Sequence, residues 1–289
     1  MKQVDGRTRV GGLMGNPVEH TLSPLIHNTL AADLEHNFIY VPFLVAQGDE
    51  EAAVRGAYAL GLQGMNVTVP YKSAVIPYLK EIDPLAEKIG AVNTLVRREG
   101  GFKGYNTDMT GLLRAMKADG VELLGETVVI LGAGGAARSV AFLCAHAGVK
   151  RIYLINRTLE RAKQVAAEVN AAFEADCIKP LLLEQYKELP EQSFLAIQGT
   201  SVGLYPNTED AVISDDAFYE RVHTGYDLIY RPNDTKFMRL VREHGGKAYN
   251  GLKMLAYQGI LAYELWNQAS ISDTEAERII GILEKEIGQ

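Results

Sequence analysis

The run Gly132-Ala-Gly134-Gly135-Ala-Ala137 constrains this chain more than any other segment. It follows the apolar, β-branched stretch from Thr127 to Leu131 and opens a segment that reads as helix to about Ala147. In that setting G-x-G-x-x-A marks a strand–turn–helix unit rather than a chance spacing. The first glycine permits the tight turn, the second lets backbone approach a pyrophosphate, and Ala137 lets the helix pack close to its strand. Free amides at the helix start then face phosphate oxygens, where the helix dipole favours negative charge. A tight turn with no ligand is the bland alternative. The next strand, Arg151 to Ile155, ends in Asn156-Arg157-Thr158, with Arg161 one turn further. A unit built for NAD usually places Asp or Glu there to hold the ribose 2′-hydroxyl. Here two guanidiniums and two short polar groups suit a 2′-phosphate instead, which predicts NADP. On charge alone the same residues also make a solvated basic turn.

A single nucleotide unit does not use 289 residues, and that length predicts two domains. Alternation sets their class. Val10 to Gly15 reads as a buried strand, and Ser23-Pro24 opens a helix through Leu34, with Ser as cap and Pro in the first turn. Strands near Phe38 to Val45 and Gly64 to Val69 alternate with helices near Glu50 to Leu60 and Tyr71 to Leu79. Residues 91–105 read as a hairpin turning at Glu99-Gly100-Gly101. Beyond the nucleotide unit come strands at Leu195 to Thr200 and Gly225 to Tyr230, then helices from Leu252 to Trp266 and Thr274 to Ile287. The expected fold is α/β: a first domain with a mostly parallel sheet, then a Rossmann-type NADP-binding domain. Boundaries near Thr110 and Asn250 give 1–109 with 251–289, and 110–250. The last helices return to the first domain because the nucleotide unit is complete without them.

Composition excludes other classes. No stretch approaches 18 uninterrupted apolar residues, and Met1 to Arg7 offers acid and glycine where a secretory leader needs an apolar run. A net charge of −7 without a long basic run argues against nucleic acid or an anionic membrane as partner. Cys144 and Cys177 form no CxxC pair and no metal spacing, so two reduced thiols and no metal are expected. The expectation is a cytoplasmic enzyme with a small-molecule substrate.

The first domain carries polar residues that composition does not demand. His20-Thr21-Leu-Ser23-Pro24 places two hydroxyls at a helix start, although Ser23 also serves as a cap. Asn66-Val-Thr68-Val-Pro70-Tyr-Lys72 ends a strand, where α/β ligand sites gather. Lys72 alone also reads as a solvated surface lysine. Asn93 interrupts an apolar run, and Tyr105-Asn106-Thr107-Asp108 precedes a helix that Thr107 or Asp108 could cap. Met254, Gln258, Leu261 and Leu265 fall on one helical stripe, which places an amide in an apolar face. A buried amide without partners costs about 1–3 kcal/mol, so protein, water or substrate must satisfy Gln258.

Taken in order, these motifs resemble the shikimate dehydrogenase family nearly end to end. The resemblance covers Gly15-Asn-Pro-Val18, the Ser-Pro helix start, Asn66 to Lys72, Gly90-Ala-Val-Asn-Thr94, Tyr105 to Asp108, Gly132 to Ala136 and Asn156 to Thr158. Tyr226-Asp-Leu-Ile-Tyr230 and Gly251-x-x-Met254-x-x-x-Gln258 complete it. It implies a substrate domain completed by C-terminal helices, a Rossmann-type domain and an active site in the cleft. It also implies reversible reduction of 3-dehydroshikimate to shikimate with NADPH, in aromatic amino-acid biosynthesis, by a monomer or homodimer.

By resemblance, Lys72 is the acid/base and Asp108 its partner. Thr21, Ser23, Thr68, Asn93, Asp108, Tyr230 and Gln258 hold substrate. Gly132, Ala133, Gly134, Gly135, Ala136, Asn156, Arg157, Thr158, Arg161, Leu228 and Gly251 hold the cofactor. One departure is Thr21, where the family's Ser-x-Ser begins with serine; its extra methyl bears on the choice between shikimate and quinate. A quinate/shikimate enzyme with relaxed cofactor choice is therefore the alternative. From another class, a non-catalytic NADP-binding sensor would bind nucleotide and turn over neither acid. A methyltransferase leaves Asn156-Arg157-Thr158 without a role.

Overall fold

Strand and helix alternate through both halves of the chain, and the structure, a computed structural model describing residues 4–288, divides into two units. Met1 to Gln3, part of the N-terminal segment read above, and Gln289 lie outside the described residues. Unit one takes the chain through Leu112 together with Leu255–Glu286, and unit two takes Leu113–Met254.

Unit one begins with β1 (Arg9–Gly15), α1 (Ser23–Asp33), β2 (Phe38–Leu44), α2 (Glu50–Ala59) and β3 (Gly64–Val67). Short β4 (Glu81–Ile82) and α3 (Pro84–Ile89) lead to the hairpin of β5 (Thr94–Arg98) and β6 (Gly101–Tyr105), and α4 (Thr107–Ala118) follows. The sheet order is β2-β1-β3-β5-β6-β4. Its pairings are parallel except at β5, which runs against both neighbours. That reversal builds the site. An antiparallel β5 starts where β3 ends, so Asn66 registers with Thr94 and Thr94 with Tyr105. The ends of β1, β3 and β6 and the start of β5 share one edge, the edge at which such sheets collect ligands.

The helix expected over Tyr71 to Leu79 is absent; turns lead to one short 3₁₀ segment, Ile76–Tyr78. Two features break the α pattern. The Lys72 carbonyl accepts from Val92 N (2.8 Å) rather than from its own segment, and Pro77 has no N–H to donate.

Unit two contains β7 (Thr127–Leu131), α5 (Gly135–His146), β8 (Arg151–Asn156), α6 (Leu159–Phe173), β9 (Ile178–Leu182) and β10 (Phe194–Gln198). It continues through α7 (Asp216–Tyr219), β11 (Val222–Asp227), α8 (Lys236–Glu243) and β12 (Lys247–Tyr249). All pairings are parallel, in the order β12-β11-β10-β7-β8-β9. Every residue of β7 and β10 is buried, as a parallel sheet covered on both faces requires. α6 buries Ala162, Val165, Ala166 and Val169, one apolar stripe at helical spacing. The strand order reverses between β7 and β10, and the crevice at that switch point opens beside the glycine turn after β7.

The chain closes with α9 (Leu252–Asn267) and α10 (Asp273–Ile287). α9 buries Tyr257, Ile260, Tyr263 and Trp266. The Trp266 indole donates to Leu95 O (2.9 Å), and Gln63 Nε2 donates to Trp266 O (2.6 Å). Each large apolar side chain buried contributes roughly 1.5–3 kcal/mol, which ties the helix to the sheet of unit one. The C-terminal helices thus return to the first sheet. Among the described residues no helix is long and apolar enough to cross a membrane, and no group of three His, Cys, Asp or Glu is placed to hold a metal.

Candidate active site

Unit one gathers its predicted polar residues at the shared sheet edge. Lys72 follows β3 in a turn pinned from several sides: Tyr71 is buried and its hydroxyl donates to Val45 O (2.6 Å), while Val92 N holds the Lys72 carbonyl. Its ammonium reaches Asp108 Oδ2 at 2.7 Å, with one third of the lysine side chain exposed and 18% of the aspartate. Asp108 does not cap α4. Asn106 takes that task, with Oδ1 accepting from Met109 N (3.2 Å) and Nδ2 donating to Ala91 O (3.0 Å). The aspartate is left in the first turn with its carboxylate free for Lys72.

Ser23 is not a cap either. α1 begins at Ser23 with Leu22 before it and no side-chain cap. Thr21 performs the local task, its hydroxyl accepting from Ser23 N (3.2 Å) and donating to Ser23 Oγ (3.1 Å). Both hydroxyls therefore stand together beyond the end of β1. Thr68, just past β3, makes no side-chain hydrogen bond among the described residues. Asn93 is buried just before β5, where its Oδ1 accepts from Thr107 N at 2.7 Å.

Gln258 corrects the stripe reading. Met254, Leu261 and Leu265 are only half-buried, whereas the core face of α9 runs through Tyr257, Ile260 and Tyr263. Gln258 Nε2 donates to Leu255 O (2.9 Å), one turn back, and Oε1 remains open. The amide therefore lies on the border of the helix's core face.

In unit two the glycine loop tests the dinucleotide reading directly. Gly132 sits at φ +109°, a left-handed geometry that favours glycine. α5 has Gly134 as its N-cap, with no side-chain cap. A Cβ on Gly134 or Gly135 would meet no atom within 4 Å. Uncapped amides facing open space are what a pyrophosphate needs, so the loop fits. At the end of β8, Asn156 Nδ2 donates to Thr158 O (2.9 Å), and no carboxylate is present. Arg157 and Arg161 are exposed and make no ion pair among the described residues.

Leu228 and Tyr230 lie after β11, on a turn pressed against Gly251. A Cβ at Gly251 would fall 2.2 Å from Leu228 O, so only glycine permits the approach. Burial pushes the Tyr230 phenol up. Asp227 anchors this turn: its buried carboxylate accepts from Ile229 N (2.9 Å) and from the Thr235 hydroxyl (2.6 Å). Burial outweighs those bonds and pushes Asp227 up to about 6.

In the unfolded chain Asp227 titrates near the ordinary value of about 3.9. Between the two values the folded protein holds a proton that the unfolded chain has lost, so this group's contribution to stability falls as pH rises from about 4 to 6. His27 acts in the opposite sense, since burial lowers it to about 3. Comparing Asp227→Asn with the parent cancels the His27 contribution. The variant is expected to gain on the order of 2 kcal/mol relative to the parent between pH 4.5 and 7.5. Chemical denaturation at both pH values reads this, and parallel shifts in the two proteins would refute it.

One buried grouping and one further residue were not foreseen from sequence, although Asn66, Thr94 and Thr107 lie in motifs quoted above. Asn66, Thr94 and Thr107 form a buried polar layer beside Asn93. Gln198 ties down the loop after β10, its Oε1 accepting from Thr200 N (2.6 Å) and its Nε2 donating to Val202 O (2.9 Å). Asparagine or glutamine inside an apolar strand was the available signal.

Comparison with known proteins places this arrangement. Residues 13–95 match the family model described as shikimate dehydrogenase substrate binding domain, and residues 114–202 match shikimate / quinate 5-dehydrogenase. A shikimate dehydrogenase (NADP(+)) of Moorella thermoacetica is 42% identical over 281 residues, covering 97% of this chain and 95% of the relative. The crystal structure of shikimate 5-dehydrogenase from Listeria monocytogenes in complex with shikimate and NAD is 30% identical with a TM-score of 0.90, covering 98% and 99% of the two chains. A shikimate dehydrogenase structure in complex with NADP+ is 34% identical with a TM-score of 0.88, covering 98% and 97%.

Proposed function

This chain belongs to the shikimate dehydrogenase family, and we propose that it catalyses the reversible reduction of 3-dehydroshikimate to shikimate with NADPH. The observation that carries the proposal is the Lys72–Asp108 pair, 2.7 Å apart among hydroxyls and amides that suit a polyhydroxylated ring acid. Gly132 to Ala136, Asn156, Arg157, Thr158, Arg161, Leu228 and Gly251 are assigned to the dinucleotide. The chemistry a bound NADPH supplies is hydride donation to the ketone carbon. Charge then appears on the ketone oxygen, where the Lys72 ammonium stabilises it and delivers the proton. In the oxidative direction a neutral Lys72 takes the proton from the alcohol. Asp108 holds the lysine in place through its hydrogen bond. Thr21, Ser23, Thr68, Asn93, Tyr230 and Gln258 are assigned to the acid and hydroxyls of the ring. Among these substrate residues there is no arginine, so hydroxyls rather than a guanidinium fork take the carboxylate. The reading carries with it a cytoplasmic location and a monomer or homodimer.

Initial rates at 340 nm with shikimate or quinate, each against NADP and NAD, test the proposal. Shikimate with NADP is expected to lead shikimate with NAD by at least about tenfold, since one charge-assisted contact to the 2′-phosphate already supplies about 1.5–3 kcal/mol, and to lead quinate with either nucleotide. Thr21 bears on the choice between the two acids, because its methyl group stands where the family's serine has none. Comparable quinate rates would reassign the substrate. No turnover of either acid would sink the proposal and leave a nucleotide-binding sensor.

A further inference from the structure

Beneath the proposed substrate residues of unit one lies a buried layer with a single hydrogen-bonding direction. It comprises Tyr40, Asn66, Thr94, Thr107 and Asn93, each at most 4% exposed. The direction can be read without locating hydrogens, because backbone groups mark both ends. Thr107 N can only donate, and it lies 2.7 Å from the Asn93 side chain, so the atom there is the Asn93 carbonyl oxygen. Asn93 O can only accept, and it lies 3.2 Å from the Asn66 side chain, so the atom there is the Asn66 nitrogen.

The remaining bonds follow. The second N–H of Asn66 goes to Thr94 Oγ1 (3.0 Å), leaving Asn66 Oδ1 to accept from the Tyr40 hydroxyl (2.7 Å) and His27 Nε2 (3.2 Å). Thr94 already accepts, so its own proton passes to Asn93 Oδ1 (3.1 Å) or Thr107 Oγ1 (2.9 Å). The Thr107 hydroxyl donates to Asn93 Oδ1 as well (3.1 Å). The paths through Thr94 and Thr107 end on the side-chain oxygen of Asn93. Its nitrogen has no partner among the described residues, and it is not one of the sealed polar atoms.

We propose that Asn66 and Thr94 are positioning residues that lock the Asn93 amide so that it offers the substrate two N–H donors and no acceptor. The inference rests on the assignment of the shikimate ring to this edge of unit one. A reversed Asn93 amide would set its N–H groups against the Thr107 N–H and leave one of the two threonine hydroxyl protons without an acceptor, since Thr94 and Thr107 can satisfy only one of them between themselves. The ring atom opposite Asn93 must therefore be an oxygen able to accept, as both a hydroxyl and a ketone are. Asn66 and Thr94 act through Asn93 and need not touch the ring.

Thr94→Val keeps the β-branched shape and removes the hydroxyl that links the two asparagines. It is expected to raise KM for shikimate about tenfold, with kcat within threefold and KM for NADP unchanged. Thr94→Ser, which restores the hydroxyl, is expected to return KM to within about twofold of the parent. Asn93→Asp keeps the oxygen for Thr107 N and replaces the N–H₂ with an acceptor. It is expected to cut kcat/KM for shikimate by more than about a hundredfold at unchanged KM for NADP. A parental shikimate KM in Thr94→Val, or in Asn93→Asp should the valine variant not fold, overturns the proposal while the parent's turnover leaves the assigned reaction standing. If the parent itself does not oxidise shikimate, the assigned reaction falls, and side-chain amide exchange in the ligand-free protein decides the positioning claim. Asn66 amide protons are expected to exchange at least about tenfold faster in Thr94→Val than in Thr94→Ser. Equal exchange in the two overturns it.

Discussion

Lys72→Met is expected to lower kcat by about a thousandfold in both reaction directions, within the range that positioned proton transfer supplies. Methionine keeps an unbranched stem and removes the only proton carrier assigned to the ketone oxygen. Folding should hardly change, because an ion pair with one partner a third exposed is worth about 1 kcal/mol or less. Asp108 retains some solvent contact and is not left as a sealed charge. KM for shikimate should move by less than about tenfold, since the hydroxyls and amides that grip the ring are untouched. Lys72→Arg is not expected to rescue: a guanidinium pairs with Asp108 but stays charged and cannot accept the alcohol's proton. Asp108→Asn should cost less, about ten- to a hundredfold, because the ammonium survives and only its anchor is lost. Steady-state kinetics in both directions with a thermal melt of each variant reads all of this. A Lys72→Met enzyme within tenfold of the parental kcat removes Lys72 from the chemistry.

Legibility followed the range of the interactions. The glycine turn was readable because its whole mechanism lies within one strand, one turn and one helix, and unit two has the strand order that the motif implies. β9 was missed because Pro180 sits inside it, and a proline argues against a strand unless that strand is an edge, as β9 is. Pro42 in β2 poses the same problem at the edge of the other sheet, but the flanking aromatic and β-branched residues outweighed it. The caps failed for a different reason. Ser23 and Asp108 have the right residue type at a helix start, yet α1 has no side-chain cap, with Ser23 N bonded to the Thr21 hydroxyl, and Asn106, two residues before Asp108, caps α4. A cap frees or engages a side chain by geometry that residue type alone does not specify. The layer around Asn93 was invisible because it joins Tyr40, Asn66, Thr94 and Thr107 from four separate elements. Only the antiparallel register of β5 brings Asn66 and Thr94 side by side.

Removing both guanidiniums, Arg157→Ala with Arg161→Ala, is expected to raise KM for NADP by about a hundred- to a thousandfold and to leave KM for NAD within threefold. Hydrogen bonds between charged groups contribute roughly 1.5–3 kcal/mol each, and two forks on one phosphate reach several kcal/mol before screening. Both arginines are exposed, so salt should weaken the parent's NADP affinity while hardly affecting the variant's. Neither side chain makes an ion pair among the described residues, so their loss should leave the packing of α6 intact. Asn156→Asp takes the opposite route. It sets a carboxylate at the end of β8, where a ribose 2′-hydroxyl would be held and a 2′-phosphate repelled. Its preference should move toward NAD with both arginines still present. Fluorescence titration of each nucleotide at two salt concentrations separates these effects from catalysis. A double variant whose NADP affinity falls less than threefold, or falls equally for NAD, would mean that the 2′-phosphate is not held by this turn.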